Sequence, residues 1–543
     1  MRRFLACALS LFLLASCTRV GTGSESAAGR HAWTVPGTLR IGSQVAPISL
    51  NPILSSNTTE GMIDRLMFDV LLTADETGKP VPSLASEVPT LQNGGVAKDE
   101  LSVTYHLRPN AKWQDGVPIT SKDVAFTWRA IMSPRNNVIE RNGYELVSSV
   151  DTPDDRTIVF HLKQKFSPFV NTVFAESDDA FEVLPEHLLG KLPDINHIPY
   201  NSNPIGSGPF KLKEWARGDH ITLVANENYF LGAPKLKEIV IKFIPDENTE
   251  LNQLRTHDLD WQFEASPNEY KGLLTVPDIK VILQDRNEYE LVQMNTKHPP
   301  LDDVRVRQAI VYAIDNQKLT HDLTAGSATA ADQDLPPFMW AHAQDITRYP
   351  FNPEKSKALL AAAGWKPGPS GFLEKNGQRL TLVLATNVSN ATRRLAVVQV
   401  QNMLRAVGID VEIKFYLGSL LFATKPEGGI LQNGRYDLSW NGWVAGIDPD
   451  QSTNFTCNAL PPNGNNTSFY CNAAMDAAQE KALTNSDIPV RKAAYGVIEK
   501  LLTRDKPVDP IWWPRQIQPI NPDFKGFHPN PVTASWNAYQ WEI

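Results

Sequence analysis

Strand-like and helix-like segments alternate along nearly the whole chain, and this order restricts the fold more than any other feature of the sequence. Alternating apolar and polar residues predict strands at 101–107, 157–162, 221–224 and 239–244. Helical patterns separate these strands, so the predicted fold class is mixed α/β. With 543 residues, the chain is long enough for several domains, each with an apolar core.

Three of the predicted helices have recognisable ends. Thr120 and Asp123 have the spacing of a capping box, which predicts a helix beginning there. Pro353 is typical of a first helical position, and Gly364 should end that helix. A third helix is predicted at 393–407.

The charge balance argues against one broad class of partner. The sequence has 52 Lys and Arg residues against 60 Asp and Glu, a formal net charge of −8 at pH 7. Without an overall positive field the chain is poorly suited to collecting phosphates, so we expect no nucleic-acid partner. Hydrophobic residues make up 42% and charged residues 21%, which indicates a folded globular protein.

The N-terminus has the pattern of a bacterial lipoprotein signal peptide. Arg2 and Arg3 give a positive start, and the apolar run Phe4–Leu14 is too short to span a bilayer. Small residues then precede Cys17, as in a lipobox. We therefore expect a signal peptide at 1–16 and a lipid on Cys17. The alternative is an ordinary signal peptide with a chance cysteine.

The segment after the signal peptide predicts how the protein is held at the membrane. Residues 17–37 are rich in Gly, Ser and Ala without an apolar period, so we expect a lipidated cysteine followed by a flexible tether. No later apolar run reaches the roughly 18 residues of a membrane-spanning helix. The expected localisation is extracytoplasmic, in the periplasm, with the membrane anchor at Cys17.

Two of the four cysteines remain for the folded protein. Cys7 leaves with the signal peptide and Cys17 carries the lipid, so Cys457 and Cys471 should form a disulfide in an oxidising compartment. The turn-forming residues between them allow their ends to meet. A metal site is the alternative, but no histidine lies near the two thiols in the sequence.

The sequence contains no recognisable catalytic motif. Ser207 lies in the nearest approximation to a nucleophile elbow, but the glycine two residues before it is missing and Pro209 stands where a helix should begin. Histidines show no metal-binding spacing, and no glycine-rich phosphate loop is present. We expect a protein that is not an enzyme and needs neither cofactor nor metal.

Aromatic, glycine and carboxylate residues are concentrated around the end of one predicted strand, after Trp440. A strand that ends in Gly-Trp and an Asp-Pro-Asp turn can present backbone groups, an indole face and carboxylates at a cleft. The alternative is that the tryptophans are core residues and 448–450 is only a turn. The candidate ligand-binding residues are Asn441, Gly442, Trp443, Val444, Gly446, Asp448 and Asp450.

Several segments, taken in order, resemble the extracellular solute-binding receptors of peptide and nickel ABC importers, known as family 5. The resemblance extends over nearly all of the chain after the tether. The matching segments are Phe68–Leu72, Val81–Ala85, Leu107–Pro109, Trp113–Gly116, Thr120–Val124, Pro204–Phe210, Met294–Thr296, Val304–Ala309 and Tyr436–Leu438.

The resemblance implies a two-lobed periplasmic-binding-protein-like fold of class II, type C, with an extra inserted domain. Such receptors trap a solute by hinge closure between the lobes and deliver it to the transmembrane subunits of an ABC permease. The expected ligand is an oligopeptide or peptide-like solute, and the expected state is a monomer. The implied parts are lobe I at 38–67, 196–286 and 510–543, the inserted domain at 68–195, and lobe II at 287–509.

The sequence departs from the peptide-receptor pattern at two charged positions. The family places an aspartate for the peptide ammonium three residues after the tryptophan, where this chain has Gly446, so Asp448 or Asp450 is the candidate replacement. Dipeptide receptors place an arginine for the ligand carboxylate where this chain has Thr386 and Asn387. A dipeptide ligand is therefore disfavoured, because two charge-assisted contacts are missing.

Two other functions remain open from the sequence. The tryptophans could stack on sugar rings, as in oligosaccharide-binding relatives of the same family. A hydrolase that uses the same cleft is the more remote alternative, with Ser207 as its only candidate nucleophile.

Overall fold

A computed structural model describes residues 29–55, 57–138, 141–176, 181–444 and 446–543. The predicted signal peptide at 1–16 and the predicted lipidation site Cys17 lie outside the described residues. In the described part of the chain, no helix combines the length and the apolar character needed to cross a membrane.

The strands belong mainly to one large sheet, with smaller sheets beside it. They are β1 (Thr38–Ser43), β2 (Leu72–Ala74), β3 (Pro80–Pro82), β4 (Ser102–His106), β5 (Val147–Asp154), β6 (Thr157–Leu162), β7 (Phe210–Ala216), β8 (His220–Ala225), β9 (Glu238–Phe243), β10 (Trp261–Gln262), β11 (Lys280–Asp285), β12 (Glu288–Met294), β13 (Ala328–Ala330), β14 (Lys366–Pro367), β15 (Leu373–Lys375), β16 (Gln378–Arg379), β17 (Thr381–Asn387), β18 (Asp410–Tyr416), β19 (Leu438–Val444) and β20 (Val508–Ile520).

Helices lie against the large sheet in both lobes. They are α1 (Thr58–Met67), α2 (Ser121–Met132), α3 (Phe169–Thr172), α4 (Glu186–Leu189), α5 (Glu247–Arg255), α6 (Tyr270–Leu273), α7 (Val304–Ala313), α8 (Asn316–Thr324), α9 (Pro353–Ala362), α10 (Ala391–Ala406), α11 (Gly418–Leu421), α12 (Ser452–Phe455), α13 (Ala473–Leu483) and α14 (Ile488–Asp505). Four of these helices, α1–α4, belong to the chain segment between β1 and β7. Short 3₁₀ turns lie at Pro52–Leu54, Tyr144–Leu146, Pro199–Ser202, Cys457–Ala459 and Ala538–Gln540.

The long strand β20 passes through both lobes of the molecule. Its first half, Val508–Trp512, pairs antiparallel with β12 in lobe II. Its second half, Arg515–Ile520, pairs antiparallel with β11 in lobe I. Strands β11 and β12 follow each other with only Arg286 and Asn287 between them, so the lobes are joined by two neighbouring chain segments that run in opposite directions.

Strand directions fix which edges of the two lobes face each other. In lobe II, β19 is antiparallel to β12 and therefore runs the same way as β20, and β17 and β18 run with it. In lobe I, β10 is antiparallel to β20, and β1 and β9 run with β10. Because β20 runs from lobe II to lobe I, the carboxyl ends of these two sets of strands point toward each other.

Separate apolar cores stabilise the two lobes. One cluster unites β1, α1 and β8 of lobe I with β4, β6 and α2 of the segment 68–195, so that segment shares a core with lobe I. Two further clusters lie on the two faces of the lobe II strands, one with helix α10 and the other with helices α13 and α14. The limits that the sequence resemblance implies for lobe I, the inserted domain and lobe II remain predictions.

The helices with recognisable ends are confirmed. Helix α2 begins after Thr120, and the side chain of Asp123 accepts the Thr120 backbone N–H at 2.7 Å. Helix α9 starts at Pro353 and ends before Gly364, which has φ +95°. Helix α10 starts at Ala391, two residues earlier than predicted, because Asn390 caps it by accepting the N–H of Arg393.

The predicted tether is too long at its C-terminal end. The ring of Trp33 stacks on His257 with the ring centroids 3.9 Å apart. The Asp523 carboxylate accepts the backbone N–H of His31 at 2.8 Å and the hydroxyl of Thr34 at 2.6 Å. These contacts hold residues 31–37 against lobe I. The composition predicted a flexible segment here because it does not show the aromatic stack or the shared carboxylate.

The segment around Ser207 is a tight turn beneath helix α1. A Cβ atom on Gly206 would lie 1.9 Å from the Met67 carbonyl oxygen, and one on Gly208 would lie 2.5 Å from the Met67 carbonyl carbon. Ser207 is fully buried between them. The close approach of the two backbones therefore requires glycine at both positions.

Replacement of Gly206 by alanine should destabilise the fold. We expect Gly206→Ala to lower the free energy of unfolding by about 1–3 kcal/mol or more, because the new methyl group meets backbone that cannot yield easily. The matched control is Gly61→Ala in α1, where a Cβ meets no atom within 4 Å and alanine is the better helix former. Urea titration of both variants checks this; equal midpoints would contradict the packing argument.

Candidate functional site

The cleft between the lobes is bordered by the facing carboxyl ends of the strands. On the lobe II side these ends are Asn387, Tyr416 and Val444, and on the lobe I side Ser43 and Gln262. Ligands of open α/β sheets bind outside carboxyl ends of strands, where loops can converge on them. This border is therefore the candidate site, and β19 with the loop after it is the part that the sequence predicts.

Strand β19 directs its side chains alternately to two environments. Trp440 is fully buried, packs with its ring tilted by 50° against that of Trp512, and donates its indole N–H to Glu290 at 2.7 Å. Asn441 and Trp443 border a pocket instead. Of the two tryptophans, one is a core residue and the other a candidate ligand contact.

The pocket lies on one face of β12 and β19 and has a volume of about 230 Å³. Cross-strand pairs form its floor, with Leu291 opposite Asn441 and Tyr289 opposite Trp443. Two loops form its walls, one around α11 and the other around the disulfide. The lining residues are Tyr289, Leu291, Gln293, Phe422, Leu431, Gln432, Asn441, Gly442, Trp443, Asn454, Phe455, Asn465, Thr467, Ser468 and Val508.

The predicted disulfide between Cys457 and Cys471 is present, with the two Cα atoms 4.7 Å apart. Inside the loop that it closes, the fully buried Asn466 donates to the carbonyls of Thr456 at 2.9 Å and Tyr470 at 2.6 Å. These bonds fix the neighbouring pocket wall. The disulfide therefore supports one side of the pocket.

The seven candidate residues fall into three groups. Asn441, Gly442 and Trp443 line the pocket. Val444 is 42% exposed at the end of β19, and Gly446 follows it with its carbonyl oxygen accepting the side-chain N–H of Asn287 at 2.6 Å. Asp448 and Asp450 lie outside the pocket and are described next. Their roles as ligand contacts remain predictions.

Asp448 is held in a buried ion pair with Arg491. The Arg491 guanidinium donates to both carboxylate oxygens, at 2.8 and 2.6 Å, and the two side chains are 2% and 6% exposed. Asn171 of the inserted segment also donates to Asp448, at 3.3 Å. Burial alone would lower the pKa of Arg491, but the ion pair raises it above its usual value. Asp448 therefore has little capacity left for a ligand ammonium.

Asp450 is the less committed of the two candidate carboxylates. One of its oxygens accepts the Ser452 backbone N–H at 2.8 Å. Burial raises the pKa of Asp450, and the negative charge of Asp448 raises it further. A ligand ammonium would offset both effects. Of the two candidates for the role of the family's aspartate, whose position is occupied here by Gly446, Asp450 is therefore the better one.

A second buried ion pair lies beside β19 and was not predicted. The Arg393 guanidinium donates to both oxygens of Glu290, at 2.6–3.1 Å. Thr386, where dipeptide receptors have an arginine, donates its hydroxyl to the Trp440 carbonyl at 3.0 Å. The sequence signal for this pair is the acidic residue Glu290 in the interior of β12, since a buried charge requires a partner.

Loss of Arg491 should destabilise lobe II. We expect Arg491→Met to lower the free energy of unfolding by about 3–5 kcal/mol, because Asp448 stays buried without its partner. The double variant Asp448→Asn/Arg491→Met should recover much of that loss. Thermal and urea unfolding measure both.

The matched control is Arg348→Met, which removes an ion pair with Asp332 in which both side chains are largely exposed. Its unfolding midpoint should change little, since such pairs contribute little to stability. A midpoint in Arg491→Met no lower than in Arg348→Met would contradict the assignment of Asp448 to a structural ion pair.

Three kinds of comparison relate the chain to known proteins. A family model described as bacterial extracellular solute-binding proteins, family 5 Middle, matches residues 79–466. The oligopeptide-binding protein AppA of Bacillus subtilis is 29% identical over 542 residues, covering 98% of this chain and 96% of that protein. The glutathione-binding protein GsiB of Salmonella typhi is 27% identical over 491 residues, covering 90% and 91%.

Solved structures share the same architecture. The structure of AppA from Bacillus subtilis in complex with a nonapeptide superposes with a TM-score of 0.73 at 28% identity, covering 93% of this chain and 99% of that one. NikZ from Campylobacter jejuni in complex with Ni(L-His) superposes with a TM-score of 0.74 at 24% identity, covering 94% and 100%. In the described residues, no group of three or more His, Cys, Asp or Glu side chains has the arrangement of a metal site.

Proposed function

The chain belongs to family 5 of the bacterial extracellular solute-binding proteins, and from this membership we propose that it is the peptide-binding receptor of an ABC importer. The two lobes close on an oligopeptide or peptide-like solute by bending at the hinge, and the closed receptor delivers it to the permease. The observation that supports this best is the pair of facing carboxyl edges, with the pocket beside β19. The relatives named for oligopeptides and glutathione support the ligand class.

We expect the ligand to bind without the charged residues that peptide receptors of this family usually place at the two positions discussed above. Asp448 and Glu290 are each neutralised by an arginine, and Gly446 offers only its backbone. Main-chain hydrogen bonds and side-chain pockets would then supply most of the affinity, as in other modes of extended-peptide recognition. Asp450 is the proposed contact for a ligand ammonium.

The hinge is proposed at the two crossings between the lobes, around Asn287 in one and Pro514 in the other. Contacts on the far side of the cleft would form or break as it moves. There, Ser167 of the inserted segment donates its backbone N–H to the Leu483 carbonyl at 2.7 Å, and the Glu100 carboxylate accepts the Ser486 N–H at 2.6 Å.

The proposal includes no catalytic step. Ser207, the only candidate nucleophile from the sequence, is fully buried in a turn under α1 and cannot reach a ligand in the cleft. The relatives reported above are named as binding proteins.

An oligosaccharide is the second candidate ligand. The observation that favours it is the pocket lining itself, in which Trp443 and Tyr289 lie among amide side chains. Aromatic rings can pack on sugar rings while amides bond to hydroxyl groups.

Purified protein mixed with a pool of oligopeptides should retain peptide. Native mass spectrometry should show bound peptide, and ligand at about 100 times its Kd should raise the free energy of unfolding by about 2.7 kcal/mol. Small-angle X-ray scattering should show a smaller radius of gyration for the protein with bound peptide than for the protein without it.

We expect Trp443→Ala to weaken peptide binding about tenfold or more, whereas Trp215→Ala, in β7 at the opposite end of the sheet, should leave the affinity unchanged. No retained peptide and no stabilisation would refute the proposal.

The lipid anchor is tested separately in cells. We expect Cys17→Ser to move the protein from the membrane fraction to the soluble extracytoplasmic fraction and to remove the lipid mass from its N-terminal peptide. Cys7→Ser, inside the predicted signal peptide, is the matched control and should leave the anchoring unchanged. A Cys17→Ser protein that stays in the membrane fraction would show that the anchor is elsewhere.

A further inference from the structure

The pocket beside β19 is lined entirely by uncharged side chains. None of its lining residues is Asp, Glu, Lys, Arg or His. The nearest charged pair on these strands, Glu290 with Arg393, lies on the other side of the sheet, because Glu290 alternates with the pocket residues Tyr289 and Leu291 along β12. This is unusual for a cleft whose surroundings contain several carboxylates.

The lining combines an apolar floor with a hydrogen-bonding rim. Leu291, Phe422 and Phe455 contribute apolar surface beside the ring of Trp443. Amide and hydroxyl groups border it, and some are already engaged with each other: Gln293 donates to the hydroxyl of Thr467 at 2.8 Å. Such a surface suits a ligand group that has both an apolar face and a polar edge.

One polar group of the lining has no partner among the described residues. Asn454 is only 6% exposed, and its side-chain oxygen accepts no hydrogen bond there. A buried acceptor without a donor costs free energy. This oxygen is itself shielded from solvent, so it adds neither a charge nor an exposed acceptor to the lining.

The volume of the pocket indicates the size of a ligand group that fits inside it. A dry cavity of about 150 Å³ holds a benzene molecule. The pocket, at about 230 Å³, has room for a group as large as an indole ring.

We propose that this pocket selects one uncharged ligand group with an apolar face and a hydrogen-bonding edge, and rejects ionised groups at that position. The inference rests on the proposed function, since it specifies which ligands the same cleft takes. An ionised side chain entering the pocket loses its water without meeting an opposite charge, which is costly. Neutral side chains have no such penalty, and Trp combines the apolar face with a hydrogen-bonding N–H.

The test is a substitution scan of one peptide that the protein retains from the pool. Each position of that peptide is changed in turn to Trp, Leu, Asn, Lys and Glu, and affinities are measured by isothermal titration calorimetry. At one position we expect both Lys and Glu to bind at least about tenfold more weakly than the neutral residues, which corresponds to about 1.4 kcal/mol. Equal affinities at every position would overturn the inference while leaving the proposed function intact.

A second titration tests the class of ligand independently of the selectivity of the pocket. Cellotetraose is titrated into the same protein. Binding of cellotetraose with no binding of any peptide would refute the peptide receptor but support a pocket for neutral groups.

Variants of the protein provide the matched control. Asn441→Asp places a carboxylate on the pocket floor with almost no change of shape, and should strengthen binding of the Lys peptide relative to the Glu peptide about tenfold. Asn402→Asp, on the exposed side of α10, changes the net charge equally and should leave this ratio unchanged. Asn465→Asp on the exposed pocket wall gives the same readout if Asn441→Asp does not fold. An unchanged ratio in the folded pocket variants would overturn the inference.

Discussion

The arrangement of the whole molecule depends on the two chain crossings between the lobes. Strand β20 runs from lobe II into lobe I, and β11 continues into β12 in the opposite direction beside it. Since both lobes pair their strands to these crossings, the strand directions on each side are set by hydrogen bonding to the same two segments. The facing carboxyl edges, and hence the position of the cleft, follow from that pairing.

Charge in and around the cleft is largely used for structure. Arg491 and Arg393 each donate to both oxygens of one buried carboxylate, a geometry that fixes both side chains. What remains for a ligand beside the pocket is backbone, aromatic surface and amides, with the carboxylate of Asp450 nearby. A receptor built in this way would discriminate by shape and by exclusion of charge more than by attraction of opposite charges.

The sequence was sufficient for much of the local structure and for a candidate site, but not for the electrostatics around that candidate site. The capping box at Thr120 and the glycine stop at Gly364 were predictable, because both depend on neighbouring residues. The pair of Asp448 with Arg491 joins residues 43 positions apart, and that of Glu290 with Arg393 joins residues 103 positions apart. The tertiary fold brings such distant residues together, so no local sequence pattern shows that these carboxylates form ion pairs with arginines. For the same reason the docking of Trp33 on His257 was missed.

The docking of residues 31–37 on lobe I has a mechanical consequence. With the proposed anchor at Cys17, the extended chain from there to the docked His31 would span at most about 50 Å. With such an anchor, lobe I would be kept near the bilayer, whereas lobe II would be linked to it by the two chain crossings and by contacts such as that of Ser167 with Leu483. Closure of the proposed hinge would then move lobe II relative to lobe I, and a membrane partner would sense ligand through that displacement.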